Sequence, residues 1–191
     1  MAAPQVLPQT NFPNIAAIDK KLSSLPETRP QLIKSLSIIV VECPPQNPWV
    51  DTSEFKKEPQ GLWTGPSSIA YLFFWLSKTH PDLRIEGRLP FEWCLAYLDC
   101  GSDKVPIAGN SIGIKNEYMA YNTVKAITTN DHTFVEKVKS GAIAFNTEAG
   151  AVENEFLQGR AGILALLRII RHWIPETSKG LNPVMDSIIE V

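Results

Sequence analysis

The chain has 191 residues, 44% hydrophobic and 20% charged, with a formal net charge of −2. That length is enough for one domain with its own core, the composition is globular rather than disordered, and the small charge leaves no electrostatic footprint for nucleic acid. Three cysteines, Cys43, Cys94 and Cys100, are too few for a disulfide framework, and with a start that lacks a signal-peptide pattern they suit a reducing cytosol. The longest apolar run, Ile69 to Leu76, falls far short of the ~20 residues a membrane-spanning helix needs, which leaves peripheral membrane contact open.

Residues 1–11 read as a flexible tail. Pro13 suits the first position of a helix with Ile15, Ile18, Leu22 and Leu25 on one face, ended by Pro26. Pro30 restarts the helix, with Leu32, Ile33, Leu36, Ile39 and Val40 as its apolar stripe. Cys43-Pro44-Pro45 stops it, because proline lacks the amide donor and clashes with the preceding turn. Residues 44–60 read as a polar loop whose charges, Asp51, Glu54, Lys56, Lys57 and Glu58, mark a solvated surface.

Gly61-Leu62-Trp63-Thr64-Gly65 then opens into a helix started by Pro66 and apolar through Leu76, ending near Ser77 to Pro81. Pro90 begins an amphipathic helix with Phe91, Cys94, Leu95 and Leu98 facing inward and Gly101 as its C-cap. The device recurs at Ala108-Gly109-Asn110-Ser111-Ile112-Gly113, which opens into a helix from about Ile112 to Thr128 carrying Tyr118, Met119, Tyr121, Val124 and Ile127. Asp131 is placed to N-cap the next helix, with Phe134, Val135, Val138, Ala142 and Phe145 on its inner face. Residues 142–146 fit helix better than strand. The third turn, Asn154-Glu155-Phe156-Leu157-Gln158-Gly159-Arg160-Ala161-Gly162, leads into a helix that is apolar on nearly every side and stops before Pro175. Pro183 begins a last segment with Val184, Ile188 and Val191 on one face.

Gly65, Gly109 and Gly159 are spaced 44 and 50 residues apart, a period typical of stacked helical repeats. A helix that is apolar all round is a buried one, whereas a one-sided stripe faces water on its other side. Alternation of the two kinds describes an inner ring of helices inside an outer ring. The ordered glycine turns, with Thr64-Gly65 in the first and Asn-Glu-x-Leu-x-Gly-Arg from Asn154 to Arg160 in the third, are similar to the eukaryotic lanthionine synthetase C-like (LanC-like) proteins over roughly residues 55–191.

The resemblance implies an all-α fold, an α/α toroid, in which residues 12–191 form a partial domain with units at about 61–101, 106–146 and 154–191. A closed ring needs more hairpins, so the chain reads as roughly the first half of such a protein, an incomplete ring whose last apolar face, on Val184, Ile188 and Val191, lies uncovered and favours self-association. The resemblance further implies an enzyme that uses zinc to activate a thiol, glutathione or a peptide Cys, for addition to a dehydrated Ser or Thr in a peptide or protein. The zinc ligands of the family resemble a Cys and a later Cys-His pair. This sequence has neither arrangement, which predicts a chain inactive by itself.

The turn residues expected to face a cavity are Thr64, Asn110, Gln158 and Arg160. Many relatives have Asp where Asn110 stands, and Asn cannot transfer a proton as a carboxyl group does. Arg160 serves either as a fork for a carboxylate or as a structural partner within the turns. Cys94 and Cys100 are separated by five residues, outside tight ligand spacing, and His80, His132 and His172 sit at helix ends or in turns, so no metal site is expected. Two other functions fit a helical-repeat chain. One is a non-catalytic scaffold that binds a peptide or signalling partner. The other is a carbohydrate-active toroid, for which paired carboxylates across a cavity are missing at the turns.

Overall fold

The structure, a computed structural model, describes residues 28–46, 60–101, 113–148 and 154–190. Among them every regular element is helical. The only β features are two isolated bridges, Gln60 with Thr64 and Ile85 with Arg88, each inside a tight turn. The all-α expectation holds. The flexible tail at 1–11, the helix expected from Pro13, the acidic and basic residues between 51 and 58, and Gly109 and Asn110 all lie outside the described residues.

Helix α1 (Thr28–Glu42) buries Leu36 and Val40 and ends at the Cys43-Pro44-Pro45 stop. Helices α2 (Pro66–Thr79) and α3 (Pro90–Leu98) both carry proline in the first turn, where the missing amide costs no hydrogen bond. The Leu89 amide donates to Glu92 Oε2 at 2.7 Å and so caps α3. The two helices pack on each other through Phe73, whose ring lies 6.1 Å from that of Trp93 and 5.9 Å from that of Tyr97. Between them Glu86 and Gly87 take positive φ in a tight turn, and Trp93 Nε1 donates to the Ile85 carbonyl at 2.8 Å. The Tyr97 hydroxyl donates to the Cys43 carbonyl at 2.6 Å, which anchors the end of α1.

Helix α4 (Glu117–Thr129) ends on Asn130 in the left-handed conformation, and α5 (His132–Glu148) starts at once. Asp131 caps α5 as expected, taking the Thr133 amide on Oδ1 at 2.8 Å. Helix α6 (Arg160–Trp173) stops before Pro175. A 3-10 turn (Pro175–Thr177) then runs directly into α7 (Ser178–Ile189). The glycine-led helices touch in sequence, α2 against α4 and α4 against α6, while α4 packs on α5 and α7 lies over both α5 and α6. The middle of α2 also meets the last residue of α6: Phe74 packs edge-on against Trp173 with centroids 5.0 Å apart.

Six expectations are corrected. The second glycine-led helix starts at Glu117 rather than near Ile112, because Gly113, Ile114 and Lys115 form a turn of their own. In α3 the buried set is Trp93, Cys94, Tyr97 and Leu98, while Phe91 and Leu95 are 39% and 40% exposed. Two apolar stripes compete on that short helix, and the one bearing both large aromatic rings buries the greater area. Gly101 is not the C-cap of α3, which is Asp99, and it has no left-handed backbone; a Cβ there would instead lie 2.5 Å from the Tyr121 ring.

Pro183 lies inside α7 rather than at its start. The 3-10 turn has already nucleated the helix, and Pro183 and Lys179 are exposed, so the carbonyl deprived of an amide partner faces solvent. Val184 and Ile188 are not an uncovered face. With Leu181 and Met185 they form a helical stripe buried against α5 and α6. Val191 is outside the described residues.

The glycine-led helices are also less enclosed than all-round apolarity implies. Phe73, Leu76, Leu166 and Ile170 are buried, but Leu72 and Trp75 of α2 are exposed, as are Arg168 and His172 of α6.

Candidate functional site at the glycine turns

The first residues of α2, α4 and α6 are brought together by a ladder of backbone hydrogen bonds between their preceding turns. The Leu62 amide of the first turn donates to the Ile114 carbonyl of the second at 2.8 Å. The Ile114 and Lys115 amides of the second donate to the Phe156 and Leu157 carbonyls of the third at 3.5 and 3.1 Å. Strand-like pairing of turns demands that backbones nearly touch, and glycine alone permits that. A Cβ on Gly61, which also has φ +57°, would fall on the Ile114 carbonyl oxygen. One on Gly113 would lie 2.6 Å from the carbonyl oxygens of both Phe156 and Leu157. One on Gly162 would fall on the Phe156 carbonyl oxygen and lie 2.6 Å from the Gly113 Cα.

Side chains finish each turn. Asn116 Oδ1 accepts the Met119 amide at 2.9 Å and so caps α4. Glu155 takes the Leu157 amide on Oε1 at 2.8 Å and the Gln158 amide on Oε2 at 2.6 Å, which folds the third turn over its own carboxylate. Glu117, the first residue of α4, is only 4% exposed, and its carboxyl reaches across to the first unit. The Gly61 amide donates to its Oε2 at 2.9 Å and the Ser67 hydroxyl to its Oε1 at 2.6 Å. Burial pushes this carboxyl up from 4.5 to about 7, against the opposing pull of the Ser67 and Gly61 hydrogen bonds. Because Asn116 is buried and its cap bond is internal, Asn116→Ala is expected to cost about 1–2 kcal/mol in urea unfolding, with Asn116→Asp recovering most of it.

The ladder presents three large side chains on three consecutive turns: Trp63, 56% exposed, Lys115, and Phe156, 51% exposed. The Lys115 ammonium lies 5.7 Å from the centre of the Trp63 ring. Of the expected turn residues, Thr64 is half-buried, its carbonyl taking the Gln60 amide at 2.8 Å. Gln158 is exposed beside Glu155. Arg160 Nη1 approaches Asn154 Oδ1 at 3.5 Å, within its own turn. Asn110 lies outside the described residues. Trp63, Ser67 and Glu155 stood inside the glycine turns with no role assigned, and Lys115 and Glu117 were not singled out from the sequence. The repeated Asn-Glu pair, at 116–117 and 154–155, was the available signal, though nothing local marks Glu117 as buried.

The cysteines and histidines are dispersed. Cys94 is buried beside Thr128, with Sγ 3.7 Å from Oγ1, and burial holds its thiol up at about 11, so it is no thiolate at neutral pH. Cys100 donates to the Ala96 carbonyl, and burial followed by the Asp99 charge raises it as well. His80 pairs with Thr79, His172 packs edge-on against Trp173, and His132 opens α5. Among the described residues no three His, Cys, Asp or Glu side chains come together as metal ligands, so these residues do not fit the zinc that the resemblance implies. No helix among them is long and apolar enough to cross a membrane. Comparison with protein families, with curated proteins and with solved structures finds no match for the chain.

Proposed function

We propose that the chain is a lanthionine synthetase C-like helical protein that engages a peptide at its glycine-turn end, with α2, α4 and α6 as inner helices and α3, α5 and α7 as outer helices of an α/α toroid. The observation that carries this reading is the ladder. It joins the three turns that precede the helix starts, and these turns carry Trp63, Lys115 and Phe156. Two exposed aromatic rings, one of them with the Lys115 ammonium beside it, carried on hydrogen-bonded turns, suit an extended peptide, because little entropy is lost on binding to a preorganised support. In this reading the peptide carries a dehydrated Ser or Thr, the thiol donor is glutathione or a peptide Cys, and the setting is the cytosol.

One observation favours the non-catalytic scaffold. Phe74, midway along α2, packs on Trp173 at the end of α6, so the first and third inner helices are in side-chain contact, which leaves less room between them for a substrate. Fluorescence anisotropy of a labelled dehydroalanine peptide tests the common part of both readings. Saturable binding is expected, weakened about tenfold by Trp63→Ala, which corresponds to about 1.4 kcal/mol. Binding that is absent, or indifferent to Trp63, would overturn it. Mass spectrometry of the same peptide with glutathione separates the two: an adduct identifies the enzyme, and binding without an adduct identifies the scaffold.

A further inference from the structure

We propose that Glu117 is a proton-operated clasp of the turn ladder, holding the first turn closed when protonated and releasing it when ionised. The carboxyl belongs to α4, yet both of its partners belong to the first unit, 56 and 50 residues earlier in the chain. It therefore ties the turn that carries Trp63, and the first turn of α2, to the second unit. In the protonated form the carboxyl is neutral: Oε2 accepts from Gly61, and the acid proton on Oε1 takes over the contact with the Ser67 oxygen, whose own hydrogen rotates away. In the ionised form a full charge sits in a buried site with only those two donors. Charge of that kind is costly unless it is paired.

The charged and titratable groups around it have other engagements. Lys115, on the same turn, lies over the Trp63 ring. Arg160 at the start of α6 reaches Asn154, and Glu155 on the third turn takes two amides of its own turn. Loss of the proton thus favours exposure of the carboxylate, and the nearest element that can yield is the first turn. Since the carboxyl holds its proton up to about pH 7 when folded and 4.5 when unfolded, its contribution to stability is complete below pH 4.5 and is lost as pH rises through 7. The clasp stands independently of the peptide-binding reading.

The test is NMR of the whole chain with Glu117→Gln alongside. Glutamine keeps both bonds, accepting from Gly61 and donating to Ser67, and it cannot ionise. In the wild-type protein the Glu117 carboxyl carbon and the Gly61 amide are expected to titrate together with a midpoint near 7. Hydrogen-exchange protection of the Gly61 and Leu62 amides should fall about tenfold between pH 6 and 8. The folding equilibrium constant should fall by about two orders of magnitude more in wild type than in Glu117→Gln between pH 5 and 8, a comparison in which every group other than Glu117 is common to both proteins. If Glu117→Gln does not fold, Ser67→Ala serves instead: it removes a donor to the ionised form and should move the midpoint upward. A Glu117 midpoint in the ordinary carboxylate range, or equal protection of Gly61 at pH 6 and 8, would overturn the clasp.

Discussion

Gly162→Ala is expected to destabilise the protein by about 3–5 kcal/mol, although alanine is the better helix former. Gly162 is the third residue of α6, where a propensity argument predicts a gain of about 1 kcal/mol. The surroundings reverse the sign. An added methyl group meets the Phe156 carbonyl oxygen, the Gly113 Cα and the Ile114 amide nitrogen, all of them backbone. No side chain can swing aside, so either the second or the third turn must move. That movement breaks the Ile114 and Lys115 amide bonds to the third turn, and each buried amide left unpaired costs about 1–3 kcal/mol. Gly113→Ala should behave alike, and Gly61→Ala adds the strain of positive φ. Gly180→Ala is the internal control. It sits near the start of α7 with nothing within 4 Å of the added carbon, so it should stabilise by about 0.5–1 kcal/mol. Urea unfolding of the two variants must give opposite signs. A neutral Gly162→Ala would mean that the turns do not touch.

Which parts of this arrangement were readable in advance follows from the range of the interactions. Helix stops at Cys43-Pro44-Pro45 and before Pro175, and the cap at Asp131, depend on neighbours within four residues, and they stand where the sequence placed them. The glycine turns were recognisable as turns. Their pairing was not, because a carbonyl 53 residues away decides why Gly61 must be glycine. Glu117 shows the same limit: a glutamate in the first turn of a helix is normally a solvated dipole partner, and only Gly61 and Ser67 make it a buried bridge. Proline misled in the opposite sense. Pro183 looked like a helix start by local rules, yet the 3-10 turn upstream had already set the helix direction. The face of α7 could not be judged uncovered from its own residues either, since α5 and α6 supply the cover.

Continuous apolar runs carry the least directional information, and α2 shows how far apart two aromatic neighbours can be in energy. Phe73→Ala is expected to cost about 3–5 kcal/mol, whereas Trp75→Ala, two residues on, should stay within about 0.5 kcal/mol. The Phe73 ring is wholly buried and lies nearly parallel to Tyr97, at an interplanar angle of 10°, with Trp93 tilted 30° beside it. Truncation opens a void between α2 and α3 and removes two ring contacts worth about 0.5–1.5 kcal/mol each within that total. Tyr97 would lose the ring that fixes its plane, and its hydroxyl bond to the Cys43 carbonyl, which anchors α1, would loosen as a consequence. Trp75 is 49% exposed and forms no comparable stack among the described residues. Folded domains have about 5–15 kcal/mol in hand, so Phe73→Ala should remain folded only at low urea and low temperature, with near-UV circular dichroism from the aromatic cluster largely gone. Phe73→Leu, which refills most of the volume, should recover more than half of the loss. Equal costs for Phe73→Ala and Trp75→Ala would show that α2 faces its neighbours with a different side, and would remove the packing on which the position of the first glycine turn depends.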